Sequence, residues 1–197
     1  MQPPQIILAS ASPRRQALLD QIGVSYQVLP VDIDETVKPG ESAEDCVIRL
    51  ALEKAVTGLN KSETKLPVLG SDTIILLNKQ ILGKPENRMH AIQMLSSLSG
   101  QSHQVLTAVA MVTNQKREYL VSKSNVYFRE LTENEIQAYW ESGEPVDKAG
   151  AYAIQGLAAQ FIERLDGSYS GVMGLPLFET AQLLKTFGVA IGQFQSK

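Results

Sequence analysis

The sequence predicts a mixed α/β fold, and three observations carry that prediction. Apolar residues at helical spacing, such as Val47, Leu50, Ala51 and Ala55, alternate along the chain with short apolar runs of strand length. Two long strand-like segments, 105–112 and 120–128, are joined by a polar turn at 113–118, as in a hairpin. Helices and hairpins intermingle without a regular βαβ repeat, so the sheet is expected to contain both strand directions. No internal repeat or linker divides the 197 residues, which are expected to form a single domain over 1–197.

The elements follow in order. Residues 6–9 read as a buried strand. Ser12 is placed to cap a helix whose first residue is Pro13, a position where the missing N–H costs nothing. Gly23 should end that helix, and 24–31 should form a second strand. Ser42 to Asp45 has the pattern of a capping box and opens a second helix. Lys54 lies four residues after Leu50, on or beside the inward face of this helix. Residues 67–77 are strongly apolar but interrupted by Gly70-Ser71-Asp72, and Asn78-Lys79 should turn the chain into a return strand at 80–83. A helix after Pro85, with Met89, Ile92 or Gln93, Met94 and Leu95 inward, is closed by Gly100. Thr132 with Glu135 caps a further helix. A strand near Phe161, a turn at Asp166-Gly167 and a helix over 176–187 complete the chain.

Composition excludes several classes. With 18 Lys and Arg against 21 Asp and Glu, the formal net charge is −3, which argues against a general nucleic-acid binder. Phosphate chemistry would need a local cluster of cations. The single cysteine, Cys46, rules out an internal disulfide framework. The start Met1-Gln2-Pro3-Pro4 lacks the features of a signal peptide, and no apolar run is long enough to span a bilayer. The expectation is a cytoplasmic protein without membrane contact.

Chemistry could reside in four places. In Ser10-Ala11-Ser12-Pro13-Arg14-Arg15, a strand end opens a helix whose free N–H groups and dipole favour an anion. The alternative is a capped helix with solvated arginines, and these residues alone support both. Asp72 is either a carboxylate set among apolar residues, costly unless paired, or part of a surface turn. Asp34 and Glu35 offer hard oxygen ligands for Mg²⁺ or Mn²⁺, or are simply solvated. Lys54, Lys84 and Lys148 complete a basic set. His90 and His103 lack partners at metal spacing, and Cys46 reads as a packing residue.

Taken together, these segments resemble the Maf family of nucleotide pyrophosphatases. The resemblance rests on Leu8-Ala9-Ser10-Ala11-Ser12-Pro13-Arg14-Arg15, Asp34-Glu35, Arg49-Leu50-Ala51-Leu52-Glu53-Lys54-Ala55 and Gly70-Ser71-Asp72-Thr73. It continues through Gly83-Lys84-Pro85, Ser99-Gly100-Gln101-Ser102-His103, Asp147-Lys148-Ala149-Gly150-Ala151-Tyr152, Ile154-Gln155-Gly156 and Gly174-Leu175-Pro176. These stretches occur in family order over nearly the whole chain.

The resemblance implies an elongated, two-lobed, mixed-sheet fold of the inosine-triphosphatase-like (Maf/Ham1) type with a central cleft. It also implies hydrolysis of a nucleoside triphosphate to monophosphate and pyrophosphate, a divalent cation (Mg²⁺ or Mn²⁺) and a homodimer. Carried over residue by residue, it makes Asp72 the general base and sets Glu35 and Asp72 at the metal. Ser10, Arg14, Arg15, Lys54 and Lys84 would line the triphosphate, and Arg14, Thr73 and Gln155 would set specificity. The segment Ser170-Gly171-Val172-Met173 departs from the Ser-Asn-Val pattern common in the family.

Base choice follows from the branch residues. The family branch acting on 7-methyl-GTP typically carries Trp, Gln and Glu where this chain has Arg14, Thr73 and Gln155. A glutamate complements a methylated, positively charged guanine. An amide both donates and accepts, and so suits the neutral edge of uracil or thymine. The resemblance therefore implies the branch acting on dTTP and UTP, with modified pyrimidine triphosphates a natural extension. The family is also linked to septum formation, which makes a regulatory role in cell division the rival expectation.

Overall fold

A computed structural model describes residues 3–191. Its central feature is a seven-stranded sheet in the order β2-β1-β3-β5-β6-β7, with β4 paired to β3 off this path. The strands are β1 (Ile6–Leu8), β2 (Tyr26–Val28), β3 (Val68–Leu77), β4 (Gln80–Leu82), β5 (Ser102–Val112), β6 (Arg117–Phe128) and β7 (Ile162–Asp166). The pairs β1–β2 and β1–β3 are parallel, whereas β3–β4 and β6–β7 are antiparallel. The sheet is mixed, as the sequence predicts. The helices are α1 (Pro13–Gln21), α2 (Ala43–Lys61), α3 (Arg88–Leu98), α4 (Glu133–Glu141), α5 (Tyr169–Val172) and α6 (Leu177–Thr186). Two 3₁₀ turns, Ala149–Ala151 and Leu157–Phe161, and the four-residue α5 were not expected from the sequence. No helix among the described residues is long and apolar enough to cross a membrane.

The chain forms two compact units. The first takes the residues up to Asp72, Thr107–Ser122 and those from Gly174 onward; the second takes Thr73–Leu106 and Lys123–Met173.

In the first unit β1 is the middle of three parallel strands, and all its residues are buried. Helix α2 lies against this sheet unusually closely, and two glycines are the reason. A Cβ on Gly70 of β3 would stand 2.4 Å from the Ala51 carbonyl oxygen and 2.6 Å from the Ala55 amide. One on Gly58 of α2 would meet Val68 at 2.9 Å and Ala9 at 3.0 Å. Gly70-Ser71-Asp72 is therefore no surface turn but the interior of a continuous strand, with Asp72 only 7% exposed. The cap of α2 is simpler than a full box: the Ser42 hydroxyl accepts from the Asp45 amide at 3.1 Å.

In the second unit the inward stripe of α3 is Ala91, Met94, Leu95 and Leu98, while Met89 at its first turn is 68% exposed. Met89 thus departs from the expected inward set; it sits on the outer side of the helix's first turn. Asn78 and Lys79 both adopt positive φ (49° and 69°), the conformation that a tight β3–β4 hairpin requires. Thr132 and Glu135 make the reciprocal capping box expected of α4. At the centre of the core, His103 Nε2 bonds the Tyr152 hydroxyl at 2.7 Å, and His103, Phe128 and Tyr152 meet edge to face.

Two predictions follow from this packing. Gly70→Ala forces α2 and β3 apart and should cost about 1–3 kcal/mol of stability, read as a lowered urea midpoint; a variant as stable as the parent would show that the close approach is dispensable. Burial depresses the His103 imidazole from its ordinary 6.5 to about 4. Between these values the unfolded chain binds the extra proton and the folded chain does not, so stability falls as pH drops from 6.5 towards 4. His103→Gln should flatten the dependence of the urea midpoint on pH in that window, and an unchanged slope would refute the assignment.

Candidate active site

Within the first unit, β1, β2 and β3 run parallel, and the segments leaving their C-terminal ends gather charge. Ligand sites of parallel sheets form at such edges, because the loops there converge while the strands stay fixed. β1 leads into Ser10 and the start of α1. β2 leads into the irregular segment that holds Asp34 and Glu35. β3 runs on past its pairing with Leu8 of β1, and three residues beyond Leu69 it presents Asp72.

Lys54 is the centre of this group. Its ammonium lies 2.6 Å from Asp72 Oδ1 and 2.6 Å from Glu35 Oε1. Lys54 and Asp72 are buried, at 8% and 7% exposure, whereas Glu35 is exposed. Burial of an ammonium is tolerable only with such partners, which answers why a lysine occupies an inward helical position. Its placement follows from the packing of α2: the helix approaches β3 at Gly70, so Lys54, one residue from Ala55, reaches the carboxylate two residues along the strand.

The segment carrying Glu35 is held by Arg49, to which the sequence alone assigns no role. Arg49 of α2 donates to both oxygens of Glu41, Nε at 2.6 Å and Nη2 at 2.8 Å, and also to the Thr36 carbonyl at 3.0 Å and to Glu53 at 3.2 Å. This forked bond holds the Glu41 carboxyl down at about 2, against an ordinary 4.5. Asp34 turns aside from Lys54: its Oδ1 accepts from the Thr36 amide at 2.9 Å, capping the local turn. Of the acidic pair, Glu35 therefore faces the lysine and Asp34 shapes the loop.

At the β1–α1 junction, Ser10 is buried, and its Oγ accepts from the Ser12 amide at 3.2 Å and from Arg15 Nη1 at 3.1 Å. Arg15 Nε donates to the Gly174 carbonyl at 2.8 Å, an oxygen that also accepts from the Ser71 hydroxyl at 2.9 Å. The Gly174-Leu175-Pro176 stretch thereby ties α1 to β3. Ser12 sits at the N-cap, but its side chain makes no capping bond, contrary to the expected role. Burial lowers the Arg15 guanidinium below its usual value, opposed by the charges of Asp72 and Glu35 and reinforced by that of Arg14. Arg14 is lowered by burial as well.

Ser10, Arg14, Arg15, Glu35, Lys54 and Asp72 thus belong to one unit, and their charges act on one another. The other expected residues belong to the second unit. Thr73 is half-buried in β3, Lys84 is exposed just after β4, and Gln155 is exposed in the turn between Ala153 and Gly156. Lys148 donates to the Val146 carbonyl at 3.1 Å. Cys46 is fully buried in α2 and His103 in the aromatic core, where packing accounts for both.

Glu35 and Asp72 are the side chains that could hold a divalent cation. Among the described residues no three His, Cys, Asp or Glu side chains converge as a metal cage. Two hard carboxylates do converge on a single cationic centre, the Lys54 ammonium. A pair of that kind fits Mg²⁺ or Mn²⁺, which commonly take one or two carboxylates and complete their shell with water and substrate phosphates.

Comparison with known proteins gives a consistent result. The pattern of the family described as Maf-like protein matches residues 5–187. A dTTP/UTP pyrophosphatase of Alkalilimnicola ehrlichii is 53% identical over 197 residues, covering 96% of this chain and 97% of the relative. Proteins of the same name from Nitrosospira multiformis and Pseudoalteromonas atlantica are 52% and 50% identical, covering 96% and 94% of this chain and 97% and 98% of their own lengths.

Proposed function

The chain belongs to the Maf family, and from that premise we infer that it is a nucleotide pyrophosphatase acting on dTTP and UTP. One observation of the structure supports this reading above others: Lys54 held at 2.6 Å from both Asp72 and Glu35 in an otherwise acidic protein. A buried cation flanked by carboxylates whose charges also reach Arg15 is the local cluster that phosphate chemistry needs.

In the proposed reaction Asp72 accepts a proton from a water attacking the α-phosphorus. Burial among apolar strand residues keeps this carboxylate from bulk water and fixes its direction. The reaction builds negative charge on the phosphoryl oxygens and on departing pyrophosphate. Arg14, Arg15 and Lys54 carry fixed positive charge for it, and the Ser10 region with the start of α1 contributes N–H donors. Glu35 and Asp72 would hold a divalent ion, which when bound offsets charge on the phosphates. Lys84 and Gln155 are assigned to the substrate by the family resemblance: Lys84 to the phosphates, Gln155 to the base edge. Since the Gln155 amide donates and accepts, it suits uracil and thymine, and Arg14 and Thr73 complete the pyrimidine-branch signature.

Asp72→Asn tests the assignment most directly. Its amide retains the size of the carboxylate, and Lys54 keeps Glu35 as partner. The circular dichroism spectrum should stay unchanged while kcat on dTTP falls by at least about 100-fold. Turnover at the parent rate would remove Asp72 as base. A screen of nucleoside triphosphates with Mg²⁺ or Mn²⁺ should give monophosphate and pyrophosphate from dTTP and UTP; activity confined to 7-methyl-GTP would overturn the pyrimidine reading.

A further inference from the structure

Gln155 stands in a turn whose two ends are tied to one carboxylate. Glu144, in the segment after α4, accepts from the Leu157 amide through Oε2 at 2.8 Å and from the Ala158 amide through Oε1 at 3.3 Å. The same Oε1 accepts from the Tyr139 hydroxyl at 2.8 Å, and the Tyr139 oxygen accepts in turn from the Ala153 amide at 3.3 Å. The turn is closed internally by the Gly156 amide on the Ala153 carbonyl at 3.0 Å. A hydrogen-bonded ring therefore runs from Ala153 through Tyr139 and Glu144 to Leu157 and Ala158, enclosing Ile154-Gln155-Gly156.

The backbone at Gly156 lies directly against the Glu144 carboxylate. A Cβ on Gly156 would stand 2.2 Å from Glu144 Oε2, so only glycine lets the backbone lie against the carboxylate. Glu144 also faces the first N–H groups of the 3₁₀ turn Leu157–Phe161, where a negative charge is favoured. Tyr139 is fixed from behind by the edge of Phe161, and burial beside Glu144 raises its hydroxyl so that it stays protonated and donating. All these residues lie in the second unit.

A specificity argument turns this brace into function. A glutamine amide carries a donor and an acceptor, and how well it meets the edge of uracil rather than that of cytosine depends on the distance and angle at which the backbone presents it. A turn held in one place fixes that presentation while the base approaches. We propose that Glu144 is the positioning residue for base selection, bracing the Gln155 turn so that the amide meets uracil or thymine and rejects cytosine; the proposal rests on the reading of Gln155 as the base contact.

Kinetics of Glu144→Gln on dTTP, UTP and dCTP test it. The substitution keeps the size of the side chain but turns an acceptor into an NH₂ group facing backbone donors. It should raise KM for dTTP about 10-fold, the loss of roughly one good hydrogen bond, with a smaller change in kcat. The preference in kcat/KM for dTTP over dCTP should fall by a similar factor. Tyr139→Phe, which removes one link of the ring and no charge, should move the preference in the same direction. In a Gln155→Ala background, Glu144→Gln should change the preference no further, a non-additivity that a general loss of stability would not produce. If Gln155→Ala lowers the preference while neither Glu144→Gln nor Tyr139→Phe does, the positioning role is overturned and the base contact stands. If Gln155→Ala itself leaves the preference intact, the base contact fails and takes the proposal with it.

Discussion

The closeness of α2 to the sheet governs the rest of the first unit. Gly58 and Gly70 leave out side chains that would push helix and strand apart, and Ala51 and Ala55 present small groups in return. Small residues at i, i+4 and i+7 make a stripe along α2 that the sheet can approach directly. Lys54 rides on that stripe. Were the helix to stand off by the width of a methyl group, its ammonium would lose the 2.6 Å contact with Asp72, leaving a buried carboxylate with one partner fewer. Packing and electrostatics are one constraint at this point.

The same constraint explains why part of the fold was legible in the sequence and part was not. The Thr132–Glu135 capping box, the Asn78-Lys79 turn and the buried β1 run are local chemistry, and each forms as its residues dictate. Asp72 is not local. From spacing alone, Gly70-Ser71-Asp72 suits a turn as well as a strand. Only the helix pressed against Gly70 and the lysine beyond it decide between the two, and both lie outside any sequence window. Met89 differs for a smaller reason, lying on the outer side of the first turn of α3, where the buried stripe begins only at Ala91.

Site legibility divides along similar lines. A residue whose type is unusual for its position, such as the inward Lys54, announced itself. Residues that act by bracing did not. Arg49 and Glu41 look like surface charges on a helix and its preceding loop, yet their forked bond fastens the segment bearing Glu35. Glu144 lies in a polar loop, and its neighbour Gly156 is twelve positions away. The available signal was the Gly156 position itself, since a glycine without a turn-type requirement often marks a close backbone approach.

The charge pattern of the first unit then bears on what the group of side chains can neutralise. Arg14, Arg15 and Lys54 set three positive charges against the two of Glu35 and Asp72, so the group is nearly balanced. An unbalanced cationic cluster of this burial would cost stability through desolvation and mutual repulsion, as the lowered guanidinium of Arg15 beside Arg14 already indicates. The carboxylates hold the lysine in place, and their charges also act on Arg15. They also limit how much anionic charge the cluster can neutralise by itself, because Lys54 is already paired and Arg15 already feels their charge. A triphosphate brings more negative charge than one net positive charge can offset. That shortfall is a physical reason for a divalent cation in the proposed reaction, which would supply the missing charge together with the substrate.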